Sequence, residues 1–180
     1  MNKKYKSDIF PNLEMSSTVF DEHGIRALAP IERLEECSKI LKNEYDESKR
    51  WDAVWLAGEI AETEGSQKPI FDEVANLMVW VLENDNNGVV KHEACFQIAA
   101  RNMRKKIPNL VHSALNDKSG LVKHEAIESL GLMRAFETED SIRIALKDPN
   151  PDVSETARFV LKRLERFRNI KTEYVPSAIL

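Results

Sequence analysis

A histidine followed by a glutamate occurs twice in the sequence, each time inside the same four residues: Lys91-His92-Glu93-Ala94 and Lys123-His124-Glu125-Ala126. Neutral imidazoles and carboxylates are ligands for a divalent cation. Two histidines and one carboxylate with open positions form the donor set of non-haem ferrous oxygenases, and zinc accepts the same set. His92, His124, Glu125 and Glu93 are therefore candidate metal ligands, with iron or zinc as the ion. If each histidine lies in the first turn of a helix, the positive end of the dipole favours the neutral imidazole a metal needs and keeps the neighbouring glutamate ionised. The competing reading is a solvated charged strip, alike in both places because the segment was duplicated.

The elements that must position these residues are visible in the same repetition. NDNNGVVKHEA at residues 84–94 returns as NDKSGLVKHEA at residues 116–126, an offset of 124 − 92 = 32 residues. A third copy, Asp148-Pro-Asn-Pro-Asp-Val-Ser-Glu-Thr-Ala157, puts Glu155 in the histidine position and Thr156 in the glutamate position. A degenerate first copy, Lys49-Arg-Trp-Asp-Ala53, puts Trp51 and Asp52 there. Second periodic segments lie between the copies, at Ile31–Glu44, Pro69–Glu83, Pro108–Asn116 and Glu139–Lys147, and Asn-, Gly- and Pro-containing breaker clusters separate the two kinds. With no β-alternation of useful length, the pattern predicts an all-α fold of helical hairpins resembling HEAT repeats, stacked into a short α-solenoid. Residues 24–171 form that domain, residues 1–23 an N-terminal arm that packs or is disordered, and residues 172–180 a tail.

Counting the histidine as position 0 and turning 100° per residue separates two faces of the repeated helix. Val at −2, Ala at +2 and Ile98, Leu130 or Leu161 at +6 fall between about 160° and 240°, which is the core stripe. Positions 0, +1, +4 and +8 fall between about 0° and 100° and gather His92, Glu93, His124, Glu125 and Glu128. The same face carries Trp51, Asp52, Trp55 and Glu59 from the first copy, Phe96 from the second, and Glu155 with Phe159 from the last. The second helices of successive units line the concave side of a solenoid, where ligands bind, and the strip is expected there. Carboxylates beside aromatics suit an amine-bearing substrate through ion pairing and cation–π contact. Glu93 and Glu128 are the candidate catalytic carboxylates; Trp51, Asp52, Trp55, Glu59, Phe96 and Glu155 are the candidate substrate contacts. Cys95 points away from the carboxylates and reads as a packed thiol, and His23 and His112 have no comparable partner.

Composition narrows the partners. With 26 Lys+Arg against 30 Asp+Glu the net charge is −4, which offers no basic footprint for nucleic acid or for an anionic membrane. Two cysteines, no apolar leader and no membrane-length apolar run point to the cytoplasm.

Through Lys-His-Glu-Ala, the 32-residue repeat and the stretch Asp152-Val-Ser-Glu-Thr-Ala-Arg-Phe-Val-Leu-Lys-Arg-Leu-Glu165, the chain resembles one half of deoxyhypusine hydroxylase, from about Lys49 to Arg166. That family is a HEAT-repeat monooxygenase of two similar halves. Each half gives two His-Glu motifs to a di-iron centre that activates dioxygen to hydroxylate a lysine-derived polyamine side chain. The resemblance implies His92, His124 and Glu125 as iron ligands and Glu93 as a substrate contact or supporting residue. One half cannot rebuild a four-motif site alone, so the expectation is a homodimer carrying two irons that oxidises an amine-containing small molecule or a protein side chain. The alternative is a non-enzymatic HEAT-repeat adaptor that uses the strip to hold a partner.

Overall fold

The computed structural model describes residues 20–169. Most of the expected arm and all of the expected tail lie outside these residues. Nine α-helices follow one another among the described residues, with no strand: α1 (Glu22–Ala27), α2 (Pro30–Asn43), α3 (Glu47–Glu64), α4 (Pro69–Asn84), α5 (Gly88–Ala100), α6 (Ile107–Asn116), α7 (Gly120–Leu132), α8 (Glu139–Ala145) and α9 (Pro151–Arg168). The first helix begins two residues inside the segment expected to be the arm and packs on α2 and α3.

Local chemistry sets the helix starts. Pro30, Pro69, Pro108 and Pro151 stand in the first turns of α2, α4, α6 and α9, where the missing N–H costs nothing. Asp46, Asn87 and Asn150 cap α3, α5 and α9 by accepting from backbone N–H groups of the first turn.

Helices α2/α3, α4/α5, α6/α7 and α8/α9 form four hairpins, and the second members α3, α5, α7 and α9 lie side by side in one layer. The core between the layers is the expected stripe: Val90, Ala94, Ile98, Val122, Ala126, Leu130, Val153 and Ala157 are wholly buried. Leu161 departs from it, being only half-buried, while Val160 and Leu164 take the deep positions of α9. Among the described elements α9 has an inner-layer neighbour on one side only, α7.

A ladder of ion pairs fixes the stagger between repeats. Asp85, Asp117 and Asp148, each in the turn before an inner helix, accept from the N–H two residues on at 2.8, 2.8 and 2.9 Å. Each also pairs with the cation at position −1 of the preceding repeat: Arg50 Nε to Asp85 at 2.7 Å, Lys91 Nζ to Asp117 at 3.0 Å and Lys123 Nζ to Asp148 at 2.8 Å. An aspartate that is at once a turn former and a partner for the previous helix ties local geometry to repeat stacking.

Candidate metal centre

The stagger decides which side chains of the strip meet. Position 0 of one inner helix faces position +1 of the next: His92 Nε2 lies 3.1 Å from Glu125 Oε2, and His124 Nδ1 lies 2.6 Å from Thr156 Oγ1. His124, Glu125 and Glu128 each offer a ligand atom, and these atoms lie within 4.8 Å of one another. Two donors each about 2.1 Å from a shared ion stand at most about 4.2 Å apart, so small side-chain movements close this triad on a metal. The grouping differs from the expected pair of imidazoles with one carboxylate. Glu128 of the same helix completes the triad, and His92 joins it through its bond to Glu125 rather than as an equal member.

Thr156 favours one tautomer of His124. With the Thr156 hydroxyl donating to the Asp152 carbonyl at 2.7 Å, its oxygen is placed to accept the Nδ1 proton of His124. The lone pair is then on Nε2, the nitrogen that faces Glu128 at 3.4 Å. A ring nitrogen bonded behind and a lone pair in front is the arrangement of metal-ligating histidines. Sequence reasoning gave Thr156 no role, although its place at the glutamate position was the available signal.

Charge is tuned unevenly along the strip. The hydrogen bond to Glu125 lifts the His92 pKa above its ordinary value, against burial, which lowers it. A histidine raised on folding contributes stability that is fully present below its unfolded pKa of about 6.5 and is lost as pH rises through the folded value. The metal-free protein should therefore melt at a lower temperature at pH 8 than at pH 6, and His92→Gln should flatten that slope; an unchanged slope would show that the pair does not form. Burial raises the Glu93 carboxyl, and a 2.7 Å bond from Gln97 Nε2 offsets part of the rise. Glu93 is buried and stands outside the triad.

The other expected contacts fall into three groups. Trp51, Trp55 and Phe96 stack with ring centroids 5.9 and 6.5 Å apart and interplanar angles of 15° and 7°, an aromatic wall running from α3 to α5 beside His92. Asp52 is half-buried on the same helix, its carboxyl raised by burial and by Glu22 and Asp46. Glu155 lines a cavity of about 410 Å3 with His124, Asp152, Thr156, Gly120 and Leu121. Glu59 does not present a free carboxylate: Arg26, Arg33 and the Trp55 indole N–H all bond to it. Burial would raise its pKa, and the two guanidinium groups outweigh that and hold it below the ordinary carboxylate value. Arg26 comes from α1, which precedes the four hairpins, and Arg33 from the outer helix α2, so neither lies on the inner helices whose spacing defines the strip. Cys95 is a buried free thiol, as its angular position indicated, and His112 is exposed on α6, bonded to Asn116.

A two-layer stack of helical hairpins with its two His-Glu pairs on inner helices is an α-solenoid of the HEAT-repeat class, and residues 75–162 match the HEAT-repeat family. The fold is similar to that of human deoxyhypusine hydroxylase, solved in complex with glycerol. The TM-score is 0.65 at 20% identity, over 83% of this chain and 50% of that one. The chain thus spans about half the length of the protein it is similar to. No curated protein sequence matches it. No helix among the described residues is long and apolar enough to cross a membrane.

Proposed function

We propose that the chain is an iron-dependent oxygenase that hydroxylates or otherwise oxidises an amine-containing small molecule or peptidyl side chain. The observation that carries this reading is the His124, Glu125 and Glu128 triad with His92 bonded to it, on a solenoid folded like half of an iron hydroxylase. The donor set fits: imidazole nitrogen and carboxylate oxygen suit ferrous iron, and Thr156 holds His124 with its Nε2 lone pair available. His124, Glu125 and Glu128 would hold the metal, with His92 joining through Glu125 and Glu93 as a further ligand or substrate contact. Bound iron would supply the activation of dioxygen. The chain supplies the rest. Glu93 orients the substrate, the Trp51, Trp55 and Phe96 wall receives an ammonium group by cation–π contact, and Asp52 and Glu155 add negative charge at the two ends of the strip.

One chain has too few imidazoles for a pair of metals, so the reading includes a two-fold homodimer, which doubles every ligand without new sequence and covers the reactive face from water. Metal counting and light scattering on protein purified without chelators test it together, with an absorption spectrum in air to separate coloured iron from colourless zinc. The expected result is a dimer with two irons; an active monomer with one iron would remove the dimer and keep the oxygenase.

Because the buried stripe lies across each helix from the ligands, chelation should leave the far-ultraviolet dichroism unchanged. Collapse of the helical signal would make the metal a folding element instead.

The second reading is an adaptor that binds a partner through the same face. It is favoured by Val89, Leu121 and Phe159, which expose 52%, 43% and 55% of their surface on inner helices, and by a His92–Glu125 bond that is satisfied without a metal. It is distinguished by the absence of stoichiometric metal after anaerobic reconstitution.

A further inference from the structure

Glu93 and Glu125 occupy the same position in successive repeats and are held by different means. Glu125 takes its bond from the preceding helix, through His92 at 3.1 Å. The residue that stands to Glu93 as His92 stands to Glu125 is Trp51, whose ring stacks on Trp55. The bond to Glu93 comes instead from its own helix, where Gln97 Nε2 donates to Oε1 at 2.7 Å. In α7 the counterpart of Gln97 is Ser129, since 97 + 32 = 129, and its hydroxyl donates to the Cys95 carbonyl at 3.0 Å without engaging a carboxylate.

Packing alone does not account for Gln97. The side chain is wholly buried, and its Oε1 has no hydrogen-bond partner. Leucine would occupy similar space without an orphaned oxygen, and such an oxygen lowers stability. Room for the amide also depends on a neighbour. A Cβ at Gly58 of α3 would lie 1.9 Å from Gln97 Oε1 and 2.5 Å from its Cδ. Two residues from adjacent helices are thus matched to keep a polar group in the core at the back of one carboxylate.

We propose that Gln97 is a positioning residue that holds Oε1 of Glu93 and thereby presents Oε2 to the ligand bound at the His92–Glu125–His124 face, replacing the histidine that the first repeat lacks, with Gly58 as the space that admits it. This rests on the reading of that face as a metal-dependent site. Gln97 touches neither metal nor substrate and acts through Glu93.

The test uses the full chain and cobalt(II) as the probe, titrated by its visible absorption, with thermal melting in parallel. Three proteins are compared with the parent: Gln97→Leu, Gly58→Ala and the double variant Gly58→Ala/Gln97→Ala. Gly58→Ala alone should melt at a lower temperature, because its methyl group displaces Gln97, and the double variant should regain that loss because the collision is gone. Cobalt affinity should fall about tenfold or more in all three, the range typical of lost supporting bonds, with a shifted spectrum. The decisive case is the double variant, which is expected to recover its melting temperature without recovering its cobalt affinity. Parent-like affinity and spectrum in the double variant and in Gln97→Leu would overturn the proposal and leave Gln97 as packing. If the parent itself takes up no cobalt, the metal-dependent reading falls and takes this inference with it. A parent that binds while the variants bind equally well defeats this inference alone.

Discussion

Replacing His124 with alanine should leave the protein folded and unable to hold iron. His124 is the one imidazole in the triad, and the change strips the site to two carboxylates beside His92, which is already bonded to Glu125. Loss of a direct ligand should exceed the roughly 10–100-fold cost of losing a supporting residue, so equilibrium dialysis should show no stoichiometric metal at micromolar iron. The fold should persist because a third of the His124 side chain is exposed and its helix is anchored by Val122, Ala126 and Leu130 on the other side. His92→Ala should act in the same direction, and it also uncovers a Glu125 carboxylate that is 8% exposed. The control must avoid the ladder. Lys91 would be a poor choice because it pairs with Asp117, whereas Lys105 is 77% exposed and pairs with an exposed Asp72. Full metal occupancy in His124→Ala would remove the proposed site.

The largest effect on stability should come from Asp85→Ala. Arg50 and Asp85 are 9% and 2% exposed and form two bonds, Nε to Oδ2 at 2.7 Å and NH2 to Oδ1 at 3.2 Å. The guanidinium also donates to the carbonyls of Glu44 and Tyr45, at 3.1 and 2.9 Å, so it cannot swing into water without breaking the turn that starts α3. Deleting the carboxylate leaves a buried cation unpaired, which costs about 3–5 kcal/mol. For a chain of this size that lowers the melting temperature by about 10 °C. Asp85 also accepts the Asn87 N–H at 2.8 Å, so the start of α5, and with it His92, should loosen in the same variant. Asp72→Ala breaks an exposed pair and should stay within about 0.5 kcal/mol of the parent. Equal melting temperatures for the two variants would show that the ladder does not hold the repeats together.

The repeat, the helix pairs and the buried stripe are legible in the sequence because each depends on spacing within one helix. Val90, Ala94 and Ile98 lie at positions whose angles follow from 100° per residue, and the breaker clusters mark where that count restarts. The offset between neighbouring helices has no such signature. Knowing that His92 and His124 share a face does not say that His92 reaches Glu125 rather than His124, because that depends on how far one helix is shifted along the next. The ladder of Asp85, Asp117 and Asp148 sets that shift, and its aspartates read in the sequence only as turn formers. The ion pairs of Glu59 are hidden for a related reason, since its arginine partners lie 33 and 26 residues away on α1 and α2, off the inner helices.

The stagger that joins position 0 of one repeat to position +1 of the next gives the strip a direction. A series of such joints has two unlike ends: here the Trp51 end would need a histidine and the Thr156 end a glutamate for the series to continue. Only a head-to-tail neighbour can extend a polar series, and head-to-tail contacts build rings or open filaments. A two-fold axis sets like end against like end and adds no joint to the series. If two copies of this chain complete a site together, they must therefore do so across their faces, with each strip running opposite to the other.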